Sequence, residues 1–308
     1  VISGPNASGK TSILESIGYC IRGKSILGSK DSDAVTFGRD RFNIRLETES
    51  PTRKPVNVSW HGRKTIYLGD QPIRRARDLL NIFKMVFICP GTVSIALGSP
   101  SGRRDFLDET ASQINPEWAN LVTEYRVTVK DRNSLLARDD CDPELLDVLT
   151  NQIIKQGAEL RRIRRLVAED IRKLSMDFDV DIHIDDTSDL STEAFVRKKA
   201  VEMIRGRTLV GPHRDDCHFN LSGKRVERFA STGEARRVIV LLKLAQARII
   251  QRRSSIEPFV LADDILAELD SANSTFVLNE LSKFSQVILT NAGAKPAGDY
   301  HLIEVGNA

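Results

Sequence analysis

The sequence predicts an α/β protein, a nucleotide-binding head interrupted by an α-helical arm in the form of an antiparallel helix hairpin. Three observations lead there. Gly4-Pro5-Asn6-Ala7-Ser8-Gly9-Lys10-Thr11 matches the phosphate-binding loop pattern G-x-x-x-x-G-K-[ST] in full. A short apolar run far downstream, Phe259-Val260-Leu261-Ala262, stops at Asp263-Asp264. Between them, apolar residues recur at helical spacing from about 91 to 205. The expected divisions are therefore 1–90 for the first half of the head, 91–205 for the arm and 206–308 for the second half.

The loop comes first. Gly4 and Gly9 let the backbone bend so that N–H groups point at phosphate oxygens. Lys10 can bridge β- and γ-phosphates, and the Thr11 hydroxyl suits Mg²⁺. Val1-Ile2-Ser3 reads as the end of a strand. Ser12 to Ile21 reads as a helix with Ile13, Leu14, Ile17 and Ile21 on one face, which places the phosphates at its N-terminus. After a Gly/Ser-rich passage, Gly23 to Lys30, alternation over Arg41–Glu47, Val56–Trp60 and Lys64–Leu68 predicts strands. A short helix near Ala76–Phe83 and a strand Met85–Cys89 follow, ended by Pro90-Gly91.

In the arm, Asn115-Pro116-Glu117 is a helix start, with a capping Asn and Pro in the first turn. Trp118, Leu121, Val122, Tyr125 and Val129 continue at helical spacing. After the polar turn Asp139 to Pro143, a second long helix carries Leu146, Leu149, Ile153, Leu160, Ile163, Val167, Ile171 and Leu174, with one gap at Gly157. Its opposite face carries Arg161, Arg162, Arg164, Arg165, Arg172 and Lys173. Glu159 and Glu169 sit at pairing distance from Arg162, Arg172 and Lys173, whereas Arg164 and Arg165 have no local acid. Two readings stay open for this face, a solvated surface or contact with a phosphate backbone. Arg74, Arg75 and Arg77 carry the same ambiguity.

From Thr208 the chain returns to strand and turn. Cys217–Leu221 and Arg225–Phe229 read as a β-hairpin. Ser231-Thr232-Gly233-Glu234 opens a helix through Val238, Leu241, Leu242, Ala245 and Ile249. A strand Gln286–Leu289 closes at Thr290, and Tyr300–Val305 reads as the last strand. Asp263 stands where a Walker B carboxylate would meet Mg²⁺, and Asp264 where a second carboxylate could orient an attacking water. Ser231 to Glu234 combines a small hydroxyl and a Gly with a helix N-terminus, which favours an anion. His213 and His218 fall on opposite faces of an extended segment, which argues against a shared metal.

Composition sets the outer limits. Of 308 residues, 28% are charged and the net charge is +3, and no apolar run is long enough to span a bilayer. Cys20, Cys89, Cys141 and Cys217 are far apart and form no C-x-x-C pair, which fits reduced thiols in a cytoplasm. Beginning at Val1 instead of Met, the chain is expected to be a piece of a longer protein.

Taken in order, these motifs resemble the ABC/SMC-like ATPase superfamily, and within it the bacterial RecF family. The resemblance rests on Gly4 to Thr11 with Leu14-Glu15-Ser16-Ile17, Gly98-Ser99-Pro100-Ser101-Gly102-Arg103-Arg104-Asp105-Phe106-Leu107-Asp108, and Arg132-Asn133-Ser134-Leu135-Leu136. It continues through Gly211-Pro212-His213-Arg214-Asp215-Asp216, Ser231 to Glu234, Asp263-Asp264 and Glu268-Leu269-Asp270. It implies an SMC-type P-loop ATPase head with a short helical arm, slow ATP hydrolysis and ATP-dependent homodimerisation. It also implies binding to double-stranded and gapped DNA, and recombinase loading with RecO and RecR. Carried over, Lys10 and Thr11 hold phosphate and Mg²⁺, Asp263 is the Walker B acid and Asp264 the catalytic carboxylate. Ser231, Gly233 and Glu234 contact the partner subunit's ATP, and Asp270 belongs to the D-loop. Arg161, Arg164 and Arg165 are the candidate DNA contacts.

The chain departs from the family pattern in three places. Strands usual before the phosphate loop are missing, Gly91-Thr92-Val93 stands where acids are common, and Glu234 replaces a common Gln. The alternative reading is the ATPase subunit of another SMC/ABC-like system, a transporter or a nuclease-associated complex. A transporter subunit would carry a Leu-Ser-Gly-Gly signature and a His near Thr290.

Overall fold

The computed structural model describes residues 1–175, 178–267, 269, 271–292 and 300–306. In chain order the elements are β1 (Ile2–Ser3), α1 (Lys10–Arg22), β2 (Phe42–Leu46), β3 (Val56–His61), β4 (Arg63–Leu68), β5 (Gln71–Pro72) and β6 (Lys84–Ile88). Then come α2 (Ser94–Leu97), α3 (Pro100–Ile114), α4 (Pro116–Leu136), α5 (Pro143–Ser175), β7 (Val180–Asp185), α6 (Thr192–Arg205), β8 (Asp216–Leu221) and β9 (Lys224–Arg225). The chain ends with α7 (Val226–Phe229), α8 (Thr232–Arg253), β10 (Pro258–Asp263), α9 (Ser271–Leu281), β11 (Val287–Asn291) and β12 (Ile303–Glu304).

The chain divides into two compact units, Val1–Thr92 with Val240–Ala308, and Val93–Ile239. The first division lies near the expected residue 90. The second lies inside α8, well beyond the expected 205. The cause is a strand that the helical reading missed. β7 pairs antiparallel with β8 over Val180↔Leu221 to Asp185↔Asp216, so the segment after 206 is hydrogen-bonded into the arm. Val180, Ile182 and Ile184 alternate, a signal present in the sequence.

The first unit holds a parallel sheet in the order β12-β1-β11-β10-β6. All its pairings are parallel, so the carboxyl ends of β1, β10 and β11 share one edge. The last strand is shorter than expected, two residues at Ile303–Glu304. A second, antiparallel sheet runs β2-β3-β4-β5. Its inner face presents Val56, Val58 and Ile66 to Leu14, Tyr19, Cys20 and Ile21 of α1, with Leu79, Phe83 and Met85 completing one core. Of the stripe expected on α1, Leu14, Ile17 and Ile21 pack in this core and Ile13 does not, while Tyr19 and Cys20 join it. Ala76–Asn81 is a 3-10 helix instead of an α-helix.

In the second unit α4 and α5 pack together, with Val122, Tyr125, Val129, Ile153 and Leu160 in one core with Phe195 and Val210. Asn115 caps α4 by accepting from the Glu117 N–H. The gap at Gly157 is a close approach: a Cβ there would lie 3.0 Å from Leu190 Cδ2 and from Pro212 Cδ. The second strand of the expected hairpin is only β9, because Val226–Phe229 turns helical.

A buried ion pair clamps this unit. Arg132 and Glu202 have side-chain exposures of 2% and 0% and meet at 2.7 Å. Arg132 also donates to Thr150 and Thr208 and lies over the Phe195 ring, while Glu202 accepts from the Leu209 N–H. Removing one partner strands a buried charge. Glu202→Ala is expected to destabilise the fold by about 3–5 kcal/mol, whereas the paired replacement Arg132→Met with Glu202→Leu costs far less, as read from urea unfolding midpoints.

His213 sits nearby as a neutral imidazole. Its Nδ1 accepts from the Tyr125 hydroxyl at 2.8 Å and its Nε2–H donates to the Thr208 carbonyl at 3.1 Å. Burial, assisted by Arg214 and Arg104, pushes its pKa down to about 4. An unfolded His titrates near 6.5. Between about pH 6.5 and 4 the unfolded chain therefore holds a proton that the fold excludes, and stability falls as pH falls through that window. The full effect is about 3 kcal/mol. Unfolding midpoints measured from pH 7 to 5 should fall for the parent and stay flatter for His213→Gln.

Candidate nucleotide-binding site

The phosphate loop links the end of β1 to α1. Gly9 adopts φ 89°, the left-handed region a side chain disfavours, and so turns its peptide into the loop. Ala7 is also left-handed, at φ 64°. Lys10 is buried, and its ammonium donates to the carbonyls of Gly4 at 2.8 Å and Pro5 at 2.6 Å, closing the loop around the charge.

Asp263 ends β10 and meets the loop. The Thr11 hydroxyl donates to its carboxylate at 2.9 Å, and the Thr290 hydroxyl of β11 donates at 2.6 Å. Thr290 Oγ1 in turn accepts the Asp264 N–H at 3.0 Å. Asp264 holds φ 49°, in the left-handed region where Asn and Asp are the non-glycine residues most often found. Among the described residues its Oδ1 is buried without a hydrogen-bond partner, as is Ser8 Oγ in the loop. Ala7, Gly9, Lys10, Thr11, Asp263 and Asp264 line a cleft of about 370 Å³ bounded also by Asn6, Ser12, Pro90 and Ala292.

The residues fit a nucleotide with Mg²⁺. The Thr11 hydroxyl and Asp263 carboxylate are hard oxygen donors of the kind Mg²⁺ takes. Lys10 and the turn N–H groups suit phosphate, and the partnerless Ser8 and Asp264 oxygens are polar groups that a ligand or its water would satisfy. Gly4 to Thr11, Asp263 and Asp264 are thus brought together, while Glu268 and Asp270 lie outside the described residues.

Ser231 to Glu234 belong to the second unit and form the exposed start of α8. They make a capping box: Glu234 accepts from the Ser231 N–H at 2.8 Å and hydroxyl at 2.7 Å, and Ser231 Oγ accepts the Glu234 N–H at 3.3 Å. Those bonds hold the Glu234 carboxyl below its usual pKa. A Cβ on Gly233 would meet nothing within 4 Å, so the tip is open to a ligand.

The protein-family profile described as AAA domain matches residues 1–199. The DNA replication and repair protein RecF of Clostridium acetobutylicum is 30% identical over 315 residues, covering 95% of this chain and 86% of that relative. The protein of the same description from Chlorobium luteolum is 30% identical over 320 residues, covering 94% and 86%. The chain belongs to the RecF family. The solved structure of the recombination mediator protein RecF with ATP, of the RecFOR pathway, matches it with a TM-score of 0.87 at 23% identity, over 99% of this chain and 88% of that one. The two share a fold.

The stretches most diagnostic of RecF meet in the second unit and correct the reading of the arm arginines. Arg161 and Arg164 do not face solvent. Arg161 clasps Asp215 with both forks, at 2.7 and 2.8 Å, and Arg164 clasps Asp108 at 2.8 and 3.0 Å. Arg103 holds Asp216 likewise, at 3.0 and 2.9 Å. Burial alone would lower these guanidinium pKa values, but their carboxylates outweigh it and each is raised. With side-chain exposures of 8% and 6%, Arg161 and Arg164 cannot reach a phosphate backbone. Their acid partners lie 54 and 56 residues away in sequence, so local spacing could not reveal them. Arg165 is exposed and bridges to Asp186. Arg75 bridges to Asp78 at 3.5 Å.

Thr290 is the site residue that sequence reasoning left without a role; its signal was a hydroxyl closing the strand that pairs with β10. Thr290→Val keeps the shape but takes a donor from Asp263 and an acceptor from the Asp264 N–H. It is expected to cost about 1–3 kcal/mol in urea unfolding, with Thr290→Ser recovering most of the loss.

Proposed function

We propose that this chain is an ATP-switched, DNA-binding protein of recombinational repair and replication in the cytoplasm. The observation that carries the reading is the Thr11–Asp263–Thr290 contact beside a partnerless Asp264 oxygen. It joins the two halves of a triphosphate site. The RecF relatives, whose description is DNA replication and repair, supply the biological setting.

In this reading Gly4 to Thr11 wrap the phosphates, and Lys10 shifts from the Gly4 and Pro5 carbonyls to phosphate oxygens. Thr11 and Asp263 hold Mg²⁺, which neutralises phosphate charge when bound. Asp264 orients the attacking water and accepts its proton, in a slow hydrolysis that serves as a switch. Ser231, Gly233 and Glu234 present an N-terminal helix end to the nucleotide of a second copy, so that ATP joins two chains, and Asp270 serves as the D-loop acid. The dimer grips double-stranded or gapped DNA and acts with RecO and RecR in loading recombinase.

Sedimentation tests the switch. The parent with ATP and Mg²⁺ should sediment as a dimer, and without nucleotide as a monomer. Lys10→Met should remain a monomer in both. A parent that stays monomeric with ATP would overturn the reading.

A further inference from the structure

The arm arginines are internally neutralised, so the positive charge available to DNA must lie elsewhere. Part of it lies on the outer face of the antiparallel sheet in the first unit. The register places three rows of side chains on that face: Arg45, Asn57 and Tyr67; Asn43, Ser59 and Thr65; and, at the β3–β4 turn, His61 with Arg63, beside Arg41 at the entry to β2. Alternate residues Ile44, Val58 and Ile66 point inward to the core, so the outward set is fixed by the strand period of two. Ser59 and Thr65 share a hydroxyl hydrogen bond at 2.7 Å across the strands.

The loop before β2 folds against the same end. His61 Nε2 meets Asp40 at 3.2 Å, and Arg41 lies 3.4 Å from the same carboxylate. Arg39 directly precedes Asp40, and Phe37 sits in the turn closed by the Arg39 N–H donating to the Thr36 carbonyl at 2.9 Å. Phe37 is fully exposed, at 104%, and Tyr67 is 41% exposed. Arg39 and Arg63 have no acidic partner among the described residues. The acids nearby are engaged: Asp40 as above, Glu47 by Arg45 at 2.6 Å and Asp31 by Lys64 at 2.9 Å. The result is a face with amide and hydroxyl hydrogen-bonding groups, surplus guanidinium charge at one end and an aromatic ring held in water.

We propose that this sheet face is the DNA contact surface, with Arg39 and Arg63 on backbone phosphates and Phe37 stacking on an unpaired base at the edge of a single-stranded segment. Phosphate contacts supply affinity without sequence readout, and an exposed ring supplies a sequence-tolerant platform for one base. Asn43, Ser59 and Thr65 add neutral donors to phosphate or sugar oxygens. The inference rests on the DNA-binding reading above and assigns it a surface.

Binding of the whole chain to duplex, single-stranded and gapped oligonucleotides, titrated against salt with ATP present, separates the two. Arg39→Ala with Arg63→Ala should lower the slope of log K against log salt by about 2 on duplex and about 1.4 on single strands. Phe37→Ala should weaken single-stranded and gapped DNA by roughly tenfold while sparing duplex, and Phe37→Trp should retain parent affinity. ATP binding should be unchanged in all of them. A parent that binds DNA with variants indistinguishable from it overturns this surface and leaves the functional reading standing. A parent that binds no DNA overturns that reading and this one with it.

Discussion

The carboxylate of Asp263 is the point on which the nucleotide-binding unit depends. It receives one hydroxyl from Thr11, at the end of the phosphate loop, and one from Thr290, on β11. Thr11 is 252 residues away and Thr290 is 27 away. Only a parallel sheet brings such distant segments to one edge, because it sets the carboxyl ends of its strands side by side. β11 lies between β1 and β10, so its hydroxyl can reach the acid of β10 while its neighbour leads into the loop. The same Thr290 oxygen takes the Asp264 N–H, which ties the left-handed turn to the acid before it. Thr290, which belongs to neither motif, thereby shares with Thr11 in holding the Asp263 carboxylate and also holds the Asp264 backbone.

The second unit solves a different problem. Its core contains charge, and charge in a low-dielectric interior is tolerated only when every hydrogen-bonding position is used. Arg103, Arg161 and Arg164 meet their carboxylates through two parallel N–H···O bonds, and leftover donors go to carbonyls such as Gly98 and Pro212. Such pairs add little net stability compared with apolar packing, but they admit very few alternative arrangements. They lock α3, α5 and the 211–216 turn in one relation. Short stretches that look like binding motifs in the sequence thus serve as the internal frame of this unit.

Charge availability follows from this. Helix α5 offers little to a polyanion, because its inward guanidiniums are spent on Asp108 and Asp215 and outward ones such as Arg162 and Arg172 on Glu159 and Glu169. The small antiparallel sheet looks unremarkable in composition, yet its pleat turns Ile44, Val58 and Ile66 inward and leaves Asn43, Arg45, Asn57 and Arg63 outward. What a partner meets is set by pairing and exposure, not by the density of Arg along the chain.

By itself the sequence determined the elements that local chemistry controls. The loop Gly4 to Thr11, the apolar run ending at Asp263, the Asn115 cap and the two long helices of the arm are all short-range patterns, and each is found where its period or motif places it. The alternation of Val180, Ile182 and Ile184 was equally local, but it became a strand only through pairing with residues about 35 positions on, as non-local sheet contacts do. The tertiary structure alone decided which arginines are buried, that the arm extends to residue 239, and that Thr290 holds Asp263. Those facts depend on contacts between segments tens to hundreds of residues apart. No window of sequence contains both partners of such a contact, and the strength of an ion pair or a hydroxyl bond is set by the burial that only the folded chain creates.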